Sequence, residues 1–154
     1  MEKIDIHRKP KGLYRFFSRI PGYLYRIGFS SIFGASMLIL STKGRKSGKT
    51  FRVPLGYARK VDCVYVAALY KSSDWYRNAI KNPEVEIQIG KTHMKAHASK
   101  VDDMEEKAKA YRAIVRANGE RGAKTFYYTR PMMNNEEIGN IGKKLPIIRF
   151  EIKG

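Results

Sequence analysis

The hydrophobic positions between residues 37 and 101 fall in short runs, some continuous and some alternating with polar residues, the pattern typical of β-strands. In the segment 85–89, three branched apolar residues alternate with Glu86 and Gln88, which predicts a half-buried strand. A Gly-Lys pair and a further strand-like run follow this segment, so we expect a hairpin there. In all, strands are predicted at 37–42, 50–58, 63–69, 85–89, 92–101 and 144–152.

Three other segments carry helical signals. Residues 11–20 place apolar side chains at i, i+3, i+4 and i+7 with basic residues between them, and a Pro-Gly pair ends this short helix. The segment "SSDWYRNAIKNP" offers Ser or Asp as an N-cap and an Asn-Pro stop, which predicts a helix of two turns. A third helix is predicted over 104–118, and we expect it to end near Gly119.

Strands outnumber helices and no β-α-β alternation occurs, so the predicted fold class is mainly β (α+β). The three successive strands between 37 and 69 suggest an antiparallel meander within a barrel, with the helices packed outside. A chain of 154 residues has the size of one domain. We therefore expect a basic amphipathic segment at 1–30 and one barrel domain at 31–154. The first helix either packs on the barrel or contacts an anionic membrane surface.

The run 116–144 is long and weakly periodic, which predicts a loop. Tyr127 and Tyr128 lie close to Met132 and Met133 within it. Such a loop either packs on the barrel in the ordinary way or covers a planar ligand.

The charge balance narrows the classes of partner. The chain has 31 Lys and Arg against 14 Asp and Glu, a formal charge of +17, which favours nucleic acid, a lipid surface or a small ligand rich in phosphate and carboxylate. Nucleic acid is the weakest of these, because the cations are spread along the chain and no recognition motif occurs. The lone Cys63 excludes internal disulfides and suits a cytoplasmic protein. The longest apolar run, 32–40, is too short to cross a bilayer, which needs about 20 residues.

The stretch "STKGRKSGKT", residues 41–50, concentrates basic residues and glycines in a predicted turn between two strands. It is not a nucleotide P-loop, because three residues and not four separate Gly44 from Gly48, and a strand-like segment follows. The glycines allow backbone shapes that direct amide groups at an anion, and Arg45 and Lys46 add charge. The turn is therefore either an anion-binding site or a solvated hairpin tip.

A metal site is not expected. On the predicted strand, His93 and His97 lie on one face about 13 Å apart, at ~3.3 Å per residue, which is too far for one zinc ion.

Five stretches in order, three of which carry the matched motifs, give the chain a family resemblance. Its sequence contains "LILSTKGRKSGK", then "VPLGYA" and "VYVAAL", then "DWYRNAIKNPEVEIQIG" and finally "LPIIRFEI". Between residues 36 and 100, and more weakly at the end, it resembles the deazaflavin-dependent nitroreductase family. Those oxidoreductases use reduced coenzyme F420 and have a split β-barrel related to the FMN-binding pyridoxamine-phosphate oxidases. The matched positions are Leu40, Thr42, Gly44, Arg45, Lys46, Ser47, Gly48, Pro54, Leu55, Trp75, Tyr76, Asn78, Asn82, Pro83 and Val85.

The resemblance implies a site for the coenzyme. The turn would hold phosphate and the carboxylates of the poly-glutamyl tail, strand residues would line the ring, two alanines would let the flat ring approach, and the head of the short helix would close the pocket. Arg52 is included because it follows Phe51, which stands where family members have an arginine. The implied cofactor-binding residues are Lys43, Arg45, Lys46, Ser47, Arg52, Val53, Pro54, Leu55, Tyr57, Ala67, Ala68, Lys71, Ser72, Trp75, Tyr76 and Asn78.

The implied reaction is transfer of a hydride from the reduced deazaflavin to a small organic acceptor such as a quinone, an activated alkene or a nitro compound. The family chemistry requires no nucleophile or metal, but a proton must reach the product, and Tyr127 and Tyr128 are the candidate donors. The same fold with FMN, FAD or another ligand in place of the deazaflavin is the alternative, and a homodimer is a further expectation.

Overall fold

The computed structural model describes residues 37–68, 73–126 and 134–153. The predicted N-terminal helix, and with it the expected boundary at residue 30, lie outside these residues. The described part contains seven strands and three helices, in the order β1 Met37–Lys43, β2 Thr50–Gly56, β3 Ala58–Arg59, β4 Cys63–Ala67, α1 Asp74–Lys81, β5 Glu84–Ile89, β6 Thr92–Lys100, α2 Met104–Phe126, α3 Asn135–Lys144 and β7 Ile147–Ile152.

All the strands belong to one antiparallel sheet in the order β2-β1-β5-β6-β7-β4-β3. Its two edge strands, β2 and β3, are consecutive in the chain and are separated only by Tyr57. A sheet of seven strands can satisfy this link only if it curls until its two edges lie near each other. The predicted split β-barrel is therefore confirmed.

The expected meander is wrong beyond the first hairpin. β1 pairs with β2 from Met37–Gly56 to Lys43–Thr50, but β4 pairs with β7 and with the two-residue β3. The predicted strand 50–58 is thus two strands on opposite edges of the sheet. The chain leaves one edge after Gly56 and joins the other at Ala58, a change of partner that alternation along the sequence does not reveal.

The sheet has a hydrophobic core on each face, because successive side chains of β4 and β7 point to opposite sides. The first core is enclosed by the curl and is covered by Trp75 and Ala79 of α1. The second core lies under α2 and α3, with Tyr111 and Ile114 of α2 fully buried. Each core thus depends on its own helical cover.

Two corrections concern the segment 116–144. The helix α2 does not end near Gly119 but continues to Phe126, because glycine inside a helix costs only about 1 kcal/mol relative to alanine and helix-forming residues follow it. The predicted loop also contains α3, whose N-cap Asn134 accepts a hydrogen bond from the backbone N of Glu137 at 2.8 Å. The paired tyrosines and methionines of this segment lie outside the described residues.

Within the described ranges, no helix has both the length and the apolar character that a membrane span requires.

Candidate functional site

The turn between β1 and β2 has a closed backbone geometry. The backbone N of Gly44 donates to the carbonyl of Lys49 at 2.7 Å, and that of Gly48 donates to the carbonyl of Gly44 at 2.9 Å. Gly48 has a φ of +68°, a conformation that other residues adopt only with strain. Gly44 is required for a different reason, since a Cβ there would lie 2.7 Å from the Phe51 ring and from the Ser47 hydroxyl.

A polar stripe on helix α1 fixes this turn. Asp74, Asn78 and Asn82 follow one another at intervals of four residues, so they lie along one side of the helix. Both the backbone N and Nη1 of Arg45 donate to Oδ1 of Asn78, at 3.3 and 2.9 Å. Nη2 of Arg45 lies 3.3 Å from Oδ1 of Asp74. Nδ2 of Asn82 donates to the carbonyl of Lys43 at 3.4 Å.

The outer part of the turn is left available for a ligand. The side chains of Lys46 and Ser47 are exposed, and their backbone N–H groups make no hydrogen bond within the described part of the chain. Lys43, Lys49 and Arg52 are also exposed, so the surroundings are strongly positive. Two successive free amides beside an ammonium group form an arrangement that binds phosphate or carboxylate.

Five of the predicted cofactor-binding residues are brought together in the first core. They are Val53, Leu55, Tyr57, Ala68 and Trp75. These side chains come from β2, from the residue after it, from the residue after β4 and from the first turn of α1. These five side chains thus belong to one core cluster on the enclosed side of the sheet, and their assignment to the cofactor stays a prediction.

Tyr76 extends this apolar surface toward solvent. Its ring meets that of Trp75 edge to face, with the centroids 6.1 Å apart and the planes at 89°. Burial raises the pKa of the Tyr76 hydroxyl, and Asp102 adds to the rise. Burial likewise raises the pKa of Tyr57, although Arg59 offsets part of it. Both phenols therefore remain protonated at neutral pH.

The remaining predicted site residues are spread more widely. Pro54 is half-buried and points away from its strand neighbours Val53 and Leu55. Ala67 belongs to the second core, on the opposite face from Ala68. Lys71 and Ser72, with the candidate proton donors Tyr127 and Tyr128, lie outside the described residues. The roles assigned to these six residues stay predictions.

A polar cluster that the sequence did not reveal lies on the side of the second core. The hydroxyl of Tyr65 donates to Oε1 of Glu106 at 2.8 Å, and Nη1 of Arg149 donates to the same oxygen at 2.6 Å. Burial and the hydrogen bond to Glu106 raise the pKa of Tyr65 to about 12. The cluster ties α2 to β4 and β7, and it is separated from the turn by the sheet.

The two histidines of β6 are each engaged by a glutamate of β5, His93 by Glu86 at 2.9 Å and His97 by Glu84 at 2.6 Å. Lys153 contacts Glu84 as well. The side chains described here contain no group of three or more potential metal ligands.

With this geometry established, comparison with known proteins assigns the family. The family model for F420H2-dependent quinone reductases matches residues 25–131, more than half of the chain. The chain belongs to this family. The matched range includes the basic turn, the polar stripe of α1 and the candidate proton donors.

Individual relatives agree with the family assignment. The chain is 42% identical over 57 residues to the Mycobacterium tuberculosis protein Rv3178, whose name places it provisionally among the F420H2-dependent quinone reductases. That match covers 34% of this chain and 48% of Rv3178, so the chain spans about half the length of this curated relative.

Solved structures confirm the split-barrel fold. A structure described as the F420H2-dependent reductase FDR-A has a TM-score of 0.55 and 23% identity, over 75% of this chain and 94% of that one. A protein from Listeria innocua, titled as a pyridoxamine 5′-phosphate oxidase, has a TM-score of 0.52 and 12% identity, over 77% and 85% of the two chains. A structure described as a domain-swapped dimer has a TM-score of 0.56 and 21% identity, over 86% and 100%.

Sequence reasoning missed the part of Asp74 and Asn82 in the site. From the sequence, Asp74 is a candidate N-cap and Asn82 a stop signal and a matched family position, whereas in the structure the N-cap is Ser73 and both polar side chains reach the turn or its strand. Their spacing of four residues around Asn78 is the signal that could have revealed a shared polar face.

Proposed function

We propose that this chain is an oxidoreductase that binds reduced coenzyme F420 and catalyses hydride transfer to a small organic acceptor. The observation that carries the proposal is the basic turn, in which the free amides and exposed side chains of Lys46 and Ser47 lie beside the end of an enclosed apolar core. Membership of the F420H2-dependent quinone reductase family supports the choice of coenzyme.

The residues of the turn fit the anionic part of the coenzyme. Phosphate and glutamyl carboxylates carry several negative charges, and the turn offers amides, a hydroxyl and ammonium groups with one carboxylate, Asp74, nearby. We assign Lys46 and Ser47 to direct contact, with Lys43 and Arg52 adding to the positive field.

The ring system would lie against the apolar surface that Val53, Leu55, Tyr57, Ala68 and Trp75 form. Aromatic and aliphatic side chains of this kind bind a flat ring and exclude water from it. Tyr76 and Pro54 would border the ring. Ala67, Lys71 and Ser72 are carried over by resemblance alone.

When bound, the reduced deazaflavin supplies a hydride from C5. The chain needs to orient the acceptor over the ring, keep water away and deliver a proton to the product. We assign the proton to Tyr127 or Tyr128, which lie within the range that the family model matches. Protonated phenols serve as donors at neutral pH because their ordinary pKa is about 10.

The acceptor we propose is a quinone, with activated alkenes and nitro compounds as further candidates. The name of the family supports the quinone. A quinone in a membrane would also agree with the basic amphipathic segment 1–30, for which we propose peripheral contact with anionic lipid from the cytoplasm. A homodimer is proposed too, since a structure of this fold is described as a dimer.

Two assays separate the coenzyme from the acceptor. Anaerobic mixing of the protein with reduced F420 and a soluble benzoquinone should restore the absorbance of the oxidised coenzyme much faster than a mixture without protein. Replacing the quinone with a nitroimidazole or an enone ranks the acceptors. If no acceptor accelerates oxidation although the coenzyme binds, the chain is a binding protein and not a reductase.

A further inference from the structure

Arg45 differs from the other cations of the turn because its side chain is already bound within the chain. Nη1 and the backbone N both donate to the side-chain oxygen of Asn78, and Nη2 pairs with Asp74. The Arg45 side chain is 24% exposed, whereas Lys46 is an exposed residue. Its position thus resembles that of a structural residue more than that of a ligand contact.

Asn78 is well placed to hold Arg45. It is one of three buried polar residues among those described, at 3% exposed, and its acceptor oxygen receives both hydrogen bonds from Arg45. A buried acceptor that loses its donors is costly, so Asn78 and Arg45 depend on each other. Asp74 neutralises the guanidinium from the preceding turn of the helix.

We infer that Arg45 is a positioning residue. Asn78 and Asp74 hold it against α1, and the turn so held presents the Lys46 and Ser47 amides and the Lys46 ammonium group to the anionic tail of the coenzyme. The inference rests on the proposed function for the identity of the ligand, but not for the existence of the clamp formed by Arg45, Asn78 and Asp74.

The clamp predicts that the loss of Arg45 and the loss of Asn78 have the same consequence for binding. Arg45→Ala and Asn78→Ala each release the turn, so each should weaken coenzyme binding by about 10-fold, and the double variant should be no worse than the weaker single variant. Arg45→Lys should behave like Arg45→Ala. Lysine keeps the charge, but its single ammonium group cannot replace the guanidinium group of Arg45, which bonds to Asn78 and Asp74 at the same time.

Salt separates a positioning residue from a ligand. Arg45→Ala alone would leave the Asp74 carboxylate unpaired, so the comparison uses the charge-neutral double variant Arg45→Ala/Asp74→Asn, whose dissociation constant should depend on salt as that of the wild type does. Lys46→Ala should weaken binding and also flatten that dependence, since a direct charge contact is lost. Lys49→Ala removes an exposed charge from the same turn without touching the clamp, and its effect should be smaller than that of Lys46→Ala.

The experiment is calorimetric titration of the full chain and these variants with F420 at three salt concentrations, together with hydrogen exchange of the ligand-free proteins. In the ligand-free proteins, the backbone amides of Gly44 and Gly48 should exchange faster in Arg45→Ala and Asn78→Ala than in wild type and Lys49→Ala. Circular dichroism checks that each variant is folded. The Arg45 variants alone decide the question if Asn78→Ala is unstable.

The inference is overturned if Arg45→Lys binds as tightly as wild type, if the charge-neutral variant Arg45→Ala/Asp74→Asn flattens the salt dependence as Lys46→Ala does, or if Asn78→Ala leaves exchange in the turn unchanged. Failure of the wild type to bind F420 is a different result. It refutes the proposed function, and the exchange comparison then still decides whether the clamp exists.

Discussion

Helices α2 and α3 cross so closely at Gly142 that a single added methyl group should destabilise the protein. A Cβ at Gly142 would lie 2.5 Å from Cβ of Tyr111 and 3.0 Å from the carbonyl oxygen of Lys107. Carbon atoms pack best at about 3.5–4.0 Å, so Gly142→Ala would force the helices apart by roughly 1 Å. Tyr111 is fully buried in the second core and cannot give way.

The expected magnitude follows from two opposing effects. Overpacking of this kind costs about 1–3 kcal/mol, and the gain in helix propensity from glycine to alanine returns up to about 1 kcal/mol. We therefore expect Gly142→Ala to lower the free energy of unfolding by about 1–2 kcal/mol.

Gly139→Ala is the matched control, one turn earlier on the same helix. Its Cβ would meet only the guanidinium end of Arg112, which can move aside after losing its hydrogen bond to the carbonyl of Asn135. Its effect on stability should be close to zero. Urea unfolding followed by the fluorescence of Trp75 measures both variants. The reasoning is refuted if Gly142→Ala is as stable as wild type, or if Gly139→Ala is the more damaging of the two.

Three further predictions concern other parts of the molecule. As the pH rises from 10 to 12, Tyr65 would ionise in the unfolded chain before it does in the folded one, so the free energy of unfolding should fall by up to about 1.4 kcal/mol per pH unit. Tyr65→Phe should reduce this dependence on pH. If urea unfolding shows the same dependence for the variant, the buried hydrogen bond of Tyr65 is contradicted. The hydroxyl of Thr42 is buried without a hydrogen-bond partner among the described residues, so Thr42→Val should raise stability by about 1 kcal/mol, and a lower urea midpoint would show that the hydroxyl is satisfied. The full chain should float with anionic vesicles and lose this property when Phe16 and Phe17 are replaced by serine. If both proteins float equally, the segment 1–30 does not bind the membrane through these residues, and packing on the domain is the remaining explanation for its apolar face.

Strand β5 could be predicted because only one of its faces lies in a core, so its apolar and polar residues alternate, and β4 could be predicted from a continuous apolar run because both of its faces are buried. The pairing of β4 with β7 could not be predicted, since it depends on a change of sheet edge at Tyr57 that leaves no mark on the alternation. The helix α3 could not be recognised in the sequence because of the way it packs against α2. Gly139 and Gly142 lie against α2, and glycines at a helix interface weaken the apolar periodicity by which a helix is recognised.

The candidate site, too, could be predicted only in part from the sequence. The anionic partner could be predicted from the clustering of lysine, arginine and glycine in one turn. The separate parts of Arg45 and Lys46 could not, because 33 residues separate Arg45 from its partner Asn78 and only the folded chain brings them together. Local sequence reveals which residues carry charge, whereas tertiary contacts decide which of those charges are left for a ligand.

The most direct test of the proposed function is the choice of coenzyme, measured by titrating the full chain with F420 and, separately, with FMN. Trp75 is the single tryptophan of the chain and is buried in the core against which the ring would bind, so its fluorescence reports binding of either ligand. We expect saturable quenching by F420 with a micromolar or lower dissociation constant and distinctly weaker binding of FMN. A clear preference for FMN, or the absence of saturable F420 binding, would contradict the proposed function.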